Sequence, residues 1–223
     1  MQIDGIGGKV VSKTNRLKGV ASMCNKFFQN TRKPQGILGR IMLNRMNMRH
    51  AKLAAWGFSH LTLRDHAHIL DVGCGGGANI AKMLNDVPGS VVDGLDYSAQ
   101  SVAFSRKTNA AQLGKRCTIH QGDVASLPYP DRALDYVTAF ETIYFWPDLD
   151  AAFQEIRRVL KPGGVFFICC ETDDSDDTTW TELIEGMTIH RGENIKASLL
   201  NIGYQKVDLH RKENGWICLV AIC

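Results

Sequence analysis

The stretch that decides the fold is residues 71–78, "DVGCGGGA", which holds four glycines in five consecutive positions. It follows a short apolar run at residues 68–70 and precedes a helical pattern that begins near Asn79. Glycine permits positive φ angles and lets a ligand approach the backbone closely. The following helix offers unpaired N–H groups at its first turn. The stretch therefore predicts a ligand-binding loop at the carboxyl end of a buried strand.

The rest of the chain predicts an α/β fold. After residue 60, short apolar runs alternate with helical stretches, which is typical of a parallel sheet with helices on both faces. Residues 171–202 are predicted as a variable insert followed by helices. The end differs, because two strands flank Glu213-Asn214-Gly215 and predict an antiparallel β-hairpin over residues 203–223.

Charge divides the chain into two unequal parts. Residues 1–60 carry eleven Lys and Arg but one acid, Asp4, whereas residues 61–223 carry fifteen basic and twenty-two acidic residues. We predict that residues 1–60 form a helical extension that acts as a lid over a domain spanning residues 61–223. A basic segment of this kind also suits nucleic acid or an anionic surface.

Composition limits the class of protein. Apolar residues make up 44% of the chain, without a run of the ~18 residues that a membrane helix needs. The start lacks the apolar core of a signal peptide. Seven cysteines without regular spacing indicate reduced thiols, so a cytoplasmic location is expected. The acid-rich residues 171–177 could hold a divalent metal, but they lack the alternation of a calcium loop, so we predict a solvated loop and no metal ion there.

The glycine loop alone leaves two ligands open, a nicotinamide dinucleotide and S-adenosylmethionine (SAM). Its spacing satisfies GxGxxA, and either Asp93 or Asp96 lies near the ~20-residue distance expected for an acid that binds a nicotinamide ribose. Asp71, two residues before the first glycine, favours SAM. A carboxylate there would repel a pyrophosphate but attract the ammonium of a methionine group, directly or through water.

Three further positions at predicted strand ends match the remaining parts of SAM. Asp96 can accept hydrogen bonds from both ribose hydroxyls, and Tyr97 can lie against the adenine. At the end of the third strand, Asp123 can accept from the adenine amino group while the Val124 N–H donates to a ring nitrogen. These positions would meet at one edge of a parallel sheet, so they predict one nucleoside site.

With these residues, the chain resembles the class I SAM-dependent methyltransferases, most closely the ubiquinone/menaquinone C-methyltransferase branch. The resemblance implies a Rossmann-like sheet of seven strands in the order 3-2-1-4-5-7-6, with strand 7 antiparallel and helices on its faces. It also implies SAM as cofactor and S-adenosylhomocysteine (SAH) as product. The motifs that carry it are "HILDVGCGGGANI" (68–80), "VVDGLDYSAQSV" (91–102), "IHQGDVASLPYPDRALDYVTAF" (119–140) and "EIRRVLKPGGVFFI" (155–168).

The reacting centre is expected after the fourth strand. Glu141 is a candidate base or a contact of the SAM ammonium, and Tyr144 a wall of the acceptor pocket together with Phe145 and Trp146. His50, on the N-terminal segment, is a candidate base or acceptor contact. The predicted cofactor contacts are Asp71, Gly73, Cys74 (through its carbonyl), Gly75, Asp96, Tyr97, Asp123, Val124 and Phe140.

The leading hypothesis is a methyltransferase acting on a small molecule. A methyltransferase of RNA or protein that uses the basic arm is the alternative, and the scarcity of aromatic residues among the basic ones disfavours nucleic acid. A nicotinamide-dependent oxidoreductase is a third reading, which Asp71 disfavours. A SAM-binding protein without catalysis is the fourth. The acceptor atom, whether O, N, S or C, stays open.

Overall fold

A computed structural model describes residues 50–223 of the chain. Its centre is one seven-stranded sheet in the order β3-β2-β1-β4-β5-β7-β6, which confirms the predicted order. The strands are β1 (His68–Val72), β2 (Val91–Asp96), β3 (Ile119–Gln121), β4 (Leu134–Phe140), β5 (Leu160–Cys170), β6 (Lys206–Arg211) and β7 (Ile217–Ile222). The helices are α1 (Ala51–Phe58), α2 (Ala78–Asp86), α3 (Ala99–Thr108), α4 (Leu149–Val159), α5 (Thr179–Leu183) and α6 (Gly192–Ile202), with a 3-10 turn at Ile143–Phe145.

Strand directions also follow the prediction. β1 pairs in parallel with β2 and β4, β2 with β3, and β4 with β5. β7 runs antiparallel to both β5 and β6. The turn between β6 and β7 is closed by the Lys212 N–H, which donates to Trp216 O at 2.8 Å, and by Gly215 at φ 92°. The carboxyl ends of β1 to β5 therefore meet at one edge.

Local sequence explains where the helices begin. The Ser98 hydroxyl accepts from Ser101 N at the start of α3, and the Asp148 carboxylate accepts from Ala151 N at the start of α4. Both are side-chain caps of the kind that Ser and Asp favour. α2 begins directly after Gly77, whose φ of 75° only glycine adopts readily. This helix start completes the glycine loop.

The core lies on both faces of the sheet. Successive residues of β5 point to opposite faces: Phe166 and Ile168 join one buried cluster, whereas Phe167 and Cys169 join the other. The first cluster packs under α4 and α6 and the second under α1, α2 and α3. No helix within residues 50–223 combines the length and apolarity needed to cross a bilayer.

Helix α1 packs directly on β5. Leu53, Ala54 and Gly57 are buried, and the Cys169 thiol lies 3.9 Å from Leu53 O. A Cβ on Gly57 would lie 2.7 Å from Cys169 Sγ, so the glycine permits the close approach. The last residues of the predicted 1–60 lid thus pack on the sheet, and the lid's residues 1–49 lie outside the described residues. The boundary at residue 60 stays a prediction.

The close packing of α1 predicts the sign of the stability change that Gly57→Ala would cause. Gly57→Ala in an unhindered helix would stabilise the protein by about 0.5–1 kcal/mol. Here the added methyl meets Cys169, so we expect a loss of about 1–3 kcal/mol in the free energy of unfolding, measured with urea. Adding Cys169→Ala should recover part of that loss. A stabilised single variant would show that α1 does not pack on β5 as described.

Candidate active site

The glycine loop is tied to the neighbouring strand. Gly73 N and Cys74 N both donate to Leu95 O, at 2.7 and 3.1 Å, and Gly77 N donates to Cys74 O at 2.9 Å. The Cys74 side chain is buried, and its thiol lies 3.8 Å from Ser105 Oγ. Burial raises the pKa of this thiol well above its usual range. Cys74 is therefore packed inward as a thiol, and the contact of its carbonyl with a ligand stays a prediction.

Three loop glycines have positive φ for different reasons. A Cβ on Gly73 would lie 2.0 Å from Thr142 Oγ1, and one on Gly77 would lie 2.4 Å from Ser105 Oγ. At Gly75 the nearest atom would be 4.0 Å away. Packing within the protein thus requires Gly73 and Gly77, whereas Gly75 borders open space where a ligand can approach the backbone.

Asp71 lies buried at the end of β1, with 2% of its surface exposed. Its Oδ1 accepts a hydrogen bond from Thr138 Oγ1 at 2.6 Å. Burial raises the pKa of Asp71 to about 7, and the nearby carboxylate of Asp96 acts in the same direction. A cation placed beside this carboxylate would stabilise its charged form.

Asp96, at the end of β2, is engaged by the backbone on both oxygens. Its Oδ2 accepts from Gly75 N and its Oδ1 from Ser98 N, each at 2.8 Å. The second bond is the Asx turn that precedes α3. Burial raises the pKa of Asp96 despite these bonds. The Ser101 side chain also hydrogen-bonds Asp96. A carboxylate has about four acceptor sites, so about one remains for a ligand hydroxyl.

The end of β3 lies beside Asp96, because Gly122 N donates to Asp96 O at 3.1 Å. Asp123 is exposed and accepts from Ala125 N at 2.9 Å, while Val124 is buried in the core. Tyr97 is 64% exposed, which is unusual for a large aromatic side chain. The structure therefore brings the predicted ribose and adenine residues to one edge of the sheet, as expected.

At the end of β4, Phe140 packs against Phe58 and Phe167, with ring centroids 4.9 and 5.4 Å apart. The next residue, Glu141, has a φ of 56°. This left-handed conformation is strained for a glutamate, and such strain is found most often at functional sites. Its backbone N–H donates to Cys169 O at 2.9 Å, which fixes the position of the turn.

The three predicted catalytic side chains meet at this turn. The Tyr144 hydroxyl lies 3.5 Å from Glu141 Oε1 and 3.0 Å from Thr172 O, and His50 Nε2 lies 3.9 Å from Glu141 Oε2. Burial raises the pKa of Tyr144 well above its usual range, so this phenol stays protonated. Tyr144 is thus a fixed neutral hydroxyl beside the carboxylate of Glu141.

Phe145 and Trp146 are partly buried aromatic residues that follow Tyr144. Both pack against the buried cluster under α4 and α6, and the Trp146 ring lies 6.2 Å from the Phe153 ring. These contacts place both rings against the hydrophobic core, whereas the sequence predicts that they line an acceptor pocket.

Glu171 is the functional candidate that the sequence analysis missed. It follows β5 directly, and its backbone N–H donates to Glu141 Oε1 through a short hydrogen bond. The ligand atoms of His50, Glu141 and Glu171 all lie within 4.8 Å of one another, so this group could hold a cation. The sequence did carry a signal for Glu171, because this acid follows a predicted strand, a position similar to those of Asp71 and Asp96.

Two other acids of the 171–177 loop pair with arginines. Asp173 pairs with Arg211 at 2.6 Å and Asp176 with Arg191 at 2.5 Å. Asp173 also accepts from Gly192 N at 2.9 Å, at the start of α6. These contacts attach the predicted insert, residues 171–202, to the domain.

Comparison with known proteins places this geometry in a family. A family model described as "Methyltransferase domain" matches residues 70–168. A demethylmenaquinone methyltransferase from Lactiplantibacillus plantarum is 33% identical over 165 residues, which cover 69% of this chain and 67% of that enzyme. Sterol C-methyltransferases and a fatty-acid O-methyltransferase are also similar, and the chain spans 28 to 42% of their lengths.

Known structures share the fold. A SAM-dependent methyltransferase from Aquifex aeolicus superposes with a TM-score of 0.69 at 16% identity, covering 81% of this chain and 96% of that one. A chain of the complex between the Haloferax volcanii Trm112 methyltransferase activator and a methyltransferase gives a TM-score of 0.71 at 20% identity, covering 81% and 93%. With a glycine loop, strand-end acids and this sheet order already established, the chain belongs to the class I SAM-dependent methyltransferases, in the branch that resembles the ubiquinone and menaquinone enzymes.

Proposed function

We propose that this protein transfers the methyl group of SAM to a small-molecule acceptor that binds beyond the ends of β4 and β5. The observation that carries the proposal is the contact between the glycine loop and the strained turn. Thr142, the neighbour of Glu141, packs so closely on Gly73 that no Cβ fits between them. A methyl donor held by the loop would thus lie next to the Glu141 turn, where proximity and orientation supply most of the catalysis.

The cofactor roles follow the geometry of the strand ends. Backbone groups of Gly73, Cys74 and Gly75 would hold the methionine part, with Asp71 compensating its ammonium. Because Asp71 is 2% exposed, a bridging water suits this contact better than a direct one. Phe140 would lie beside the methyl donor.

The nucleoside would lie across the ends of β2 and β3. Asp96 would accept a ribose hydroxyl on its remaining acceptor site, and Tyr97 would stack on the adenine. Asp123 and the Val124 N–H would bind the edge of the base. The exposed ring of Tyr97 and the hydrogen bond from Gly122 N to Asp96 O support this placement.

For the acceptor we propose an apolar small molecule. Aromatic rings lie at this end of the sheet, with Phe58 against Phe140, and Trp56 6.1 Å from Trp216. Relatives named for menaquinone precursors, sterols and fatty acids support an acceptor of this type. The alternative of RNA or protein depends on a basic segment that lies mainly outside the described residues. A cytoplasmic location agrees with the six free thiols within residues 50–223.

At the reacting centre, Glu141 would face the acceptor. The Tyr144 hydroxyl and His50 lie beside its two oxygens and would set its orientation. An acceptor that must lose a proton needs a group of this kind.

The first test addresses the cofactor. SAH should raise the melting temperature of the protein, because a ligand of the native state stabilises it by mass action, and NADH should leave it unchanged. Asp96→Asn keeps an oxygen for the backbone but loses the charge, so SAH affinity measured by calorimetry should fall at least about tenfold. The matched control is Asp208→Asn on the exposed edge of β6. Equal affinities in both variants would remove Asp96 from the ribose site.

The second test separates binding from chemistry. Glu141→Gln should lower kcat about 10²- to 10⁴-fold once an acceptor is identified, because the group acts on the acceptor proton. SAH affinity should change little, since Glu141 is not among the proposed cofactor contacts. A variant that loses SAH binding and keeps kcat would instead place Glu141 on the methionine ammonium.

The third test uses the buried carboxyl of Asp71. Its pKa is raised to about 7 in the folded protein, whereas in the unfolded chain it is about 4. Between these values the native state holds a proton that the unfolded state has lost, so this group's contribution to stability falls as pH rises from about 4 to 7. Asp71→Asn lacks that proton equilibrium.

The measurement is the free energy of unfolding of both proteins in urea at pH 5, 6, 7 and 8. The value for the wild type minus that for Asp71→Asn should decrease up to about pH 7 and then level off. A difference that rises with pH would mean that the folded protein stabilises the carboxylate.

A further inference from the structure

His50, Glu141 and Glu171 converge from three separate elements at the proposed acceptor site. We propose that they form a binding site for one divalent cation, which activates a hydroxyl group of the acceptor. The inference rests on the proposed function. It changes the role of Glu141 there, from a group that takes the acceptor proton to a ligand of the ion.

The spacing fits shared coordination. Imidazole nitrogens and carboxylate oxygens bind Zn²⁺ at about 2.0–2.2 Å, so two ligand atoms of one ion lie at most about 4.4 Å apart. His50 Nε2 and Glu141 Oε2 are 3.9 Å apart, and every pair of ligand atoms in the group lies within 4.8 Å. Small rotations of these side chains would bring the ligand atoms from within 4.8 Å to within about 4.4 Å of one another.

The central ligand is already oriented. One oxygen of Glu141 accepts the Glu171 N–H and faces the Tyr144 hydroxyl, which leaves its Oε2 directed toward His50. Hydrogen bonds of this kind hold the carboxylates of metal sites in position and tune their affinity.

Electrostatics favour a divalent ion. Two carboxylates share this site, and neither is fully exposed. Both carboxylates attract a bound cation, and the attraction is stronger in a partly buried site than at an exposed surface.

The donor set narrows the choice of metal. Ca²⁺ prefers six to eight oxygen ligands, whereas imidazole suits Zn²⁺ and carboxylates suit Mn²⁺. Three protein ligands leave positions open, as in catalytic metal sites. An acceptor hydroxyl bound there would have a lowered pKa and release its proton to solvent.

The methyl transfer is then a displacement at the methyl carbon of SAM. The acceptor oxyanion, or the ring carbon that it activates, attacks the methyl carbon of SAM and forms the new bond. After attack by a ring carbon, that carbon releases its proton to solvent, which restores the aromatic ring and its hydroxylate. The bond between that carbon and sulfur breaks, and its electron pair stays on sulfur to give neutral SAH. The inferred acceptor class is therefore a hydroxylated aromatic or enol compound.

The test uses the full 223-residue chain stripped with EDTA. Mn²⁺ and Zn²⁺ binding is measured by calorimetry, with the electron paramagnetic resonance of Mn²⁺ as a direct readout. We expect one ion per chain in the wild type. Glu171→Gln and His50→Ala should each weaken binding at least about tenfold. The matched control, Glu213→Gln at the exposed hairpin turn, removes one charge and should leave binding unchanged.

Two outcomes overturn the inference: no binding of either ion at millimolar concentration, or binding that Glu171→Gln and His50→Ala leave unchanged. SAH binding to the stripped protein distinguishes this failure from that of the proposed function. A stripped protein that binds SAH but no metal leaves the methyltransferase function standing. A protein that binds Mn²⁺ at these residues but never SAH would refute the proposed function alone.

Discussion

The contact between Gly73 and Thr142 is the constraint on which the site depends. It joins the loop after β1 to the turn after β4, and it leaves no room for a Cβ at residue 73. The loop can approach only because Gly73 also adopts a φ of 67°. The proposed donor site adjoins this contact at the glycine loop and the proposed acceptor site adjoins it at the Glu141 turn, so the contact would help to set how closely methyl group and acceptor approach. In methyl transfer that distance and alignment dominate the rate.

The edge of the sheet that binds ligands is predictable because parallel topology is. Once alternation of strands and helices indicates a parallel sheet, every acid at the end of a strand must lie at the same edge. That reasoning predicts Asp71, Asp96 and Asp123 at this edge, and all three lie there. The antiparallel β7 has a different basis, namely the hairpin signal around Glu213-Asn214-Gly215 and the family resemblance.

Contacts that depend on side-chain direction could not be read in the same way. The left-handed backbone of Glu141 has no signal in the sequence, since glutamate rarely adopts it. The pairing of Glu141 with Glu171 requires knowing that β5 ends level with β4, which follows from their register and not from spacing along the chain. Phe145 and Trp146, the expected walls of an acceptor pocket, pack against the core, because aromatic residues suit both environments.

Asp93 and Asp96, which the glycine spacing leaves as equal candidates, differ in how the fold satisfies them. Asp93 lies within β2 and accepts from His68, Tyr129 and Thr118 N at 2.8 to 3.0 Å. Burial opposes its ionisation, yet these partners outweigh burial and lower its pKa. Its carboxylate is therefore already satisfied within the protein.

Asp71 and Asp96 show the opposite balance. Burial raises the pKa of both, since the hydrogen bonds that each accepts do not outweigh desolvation. Removing a carboxylate from water without full compensation costs stability, and proteins tolerate such costs mainly where function requires them. A cationic or hydroxyl-bearing ligand would supply the missing compensation. The contrast with Asp93, a few residues away on the same strand as Asp96, therefore marks the carboxyl edge as built for a ligand that carries both groups, as SAM does.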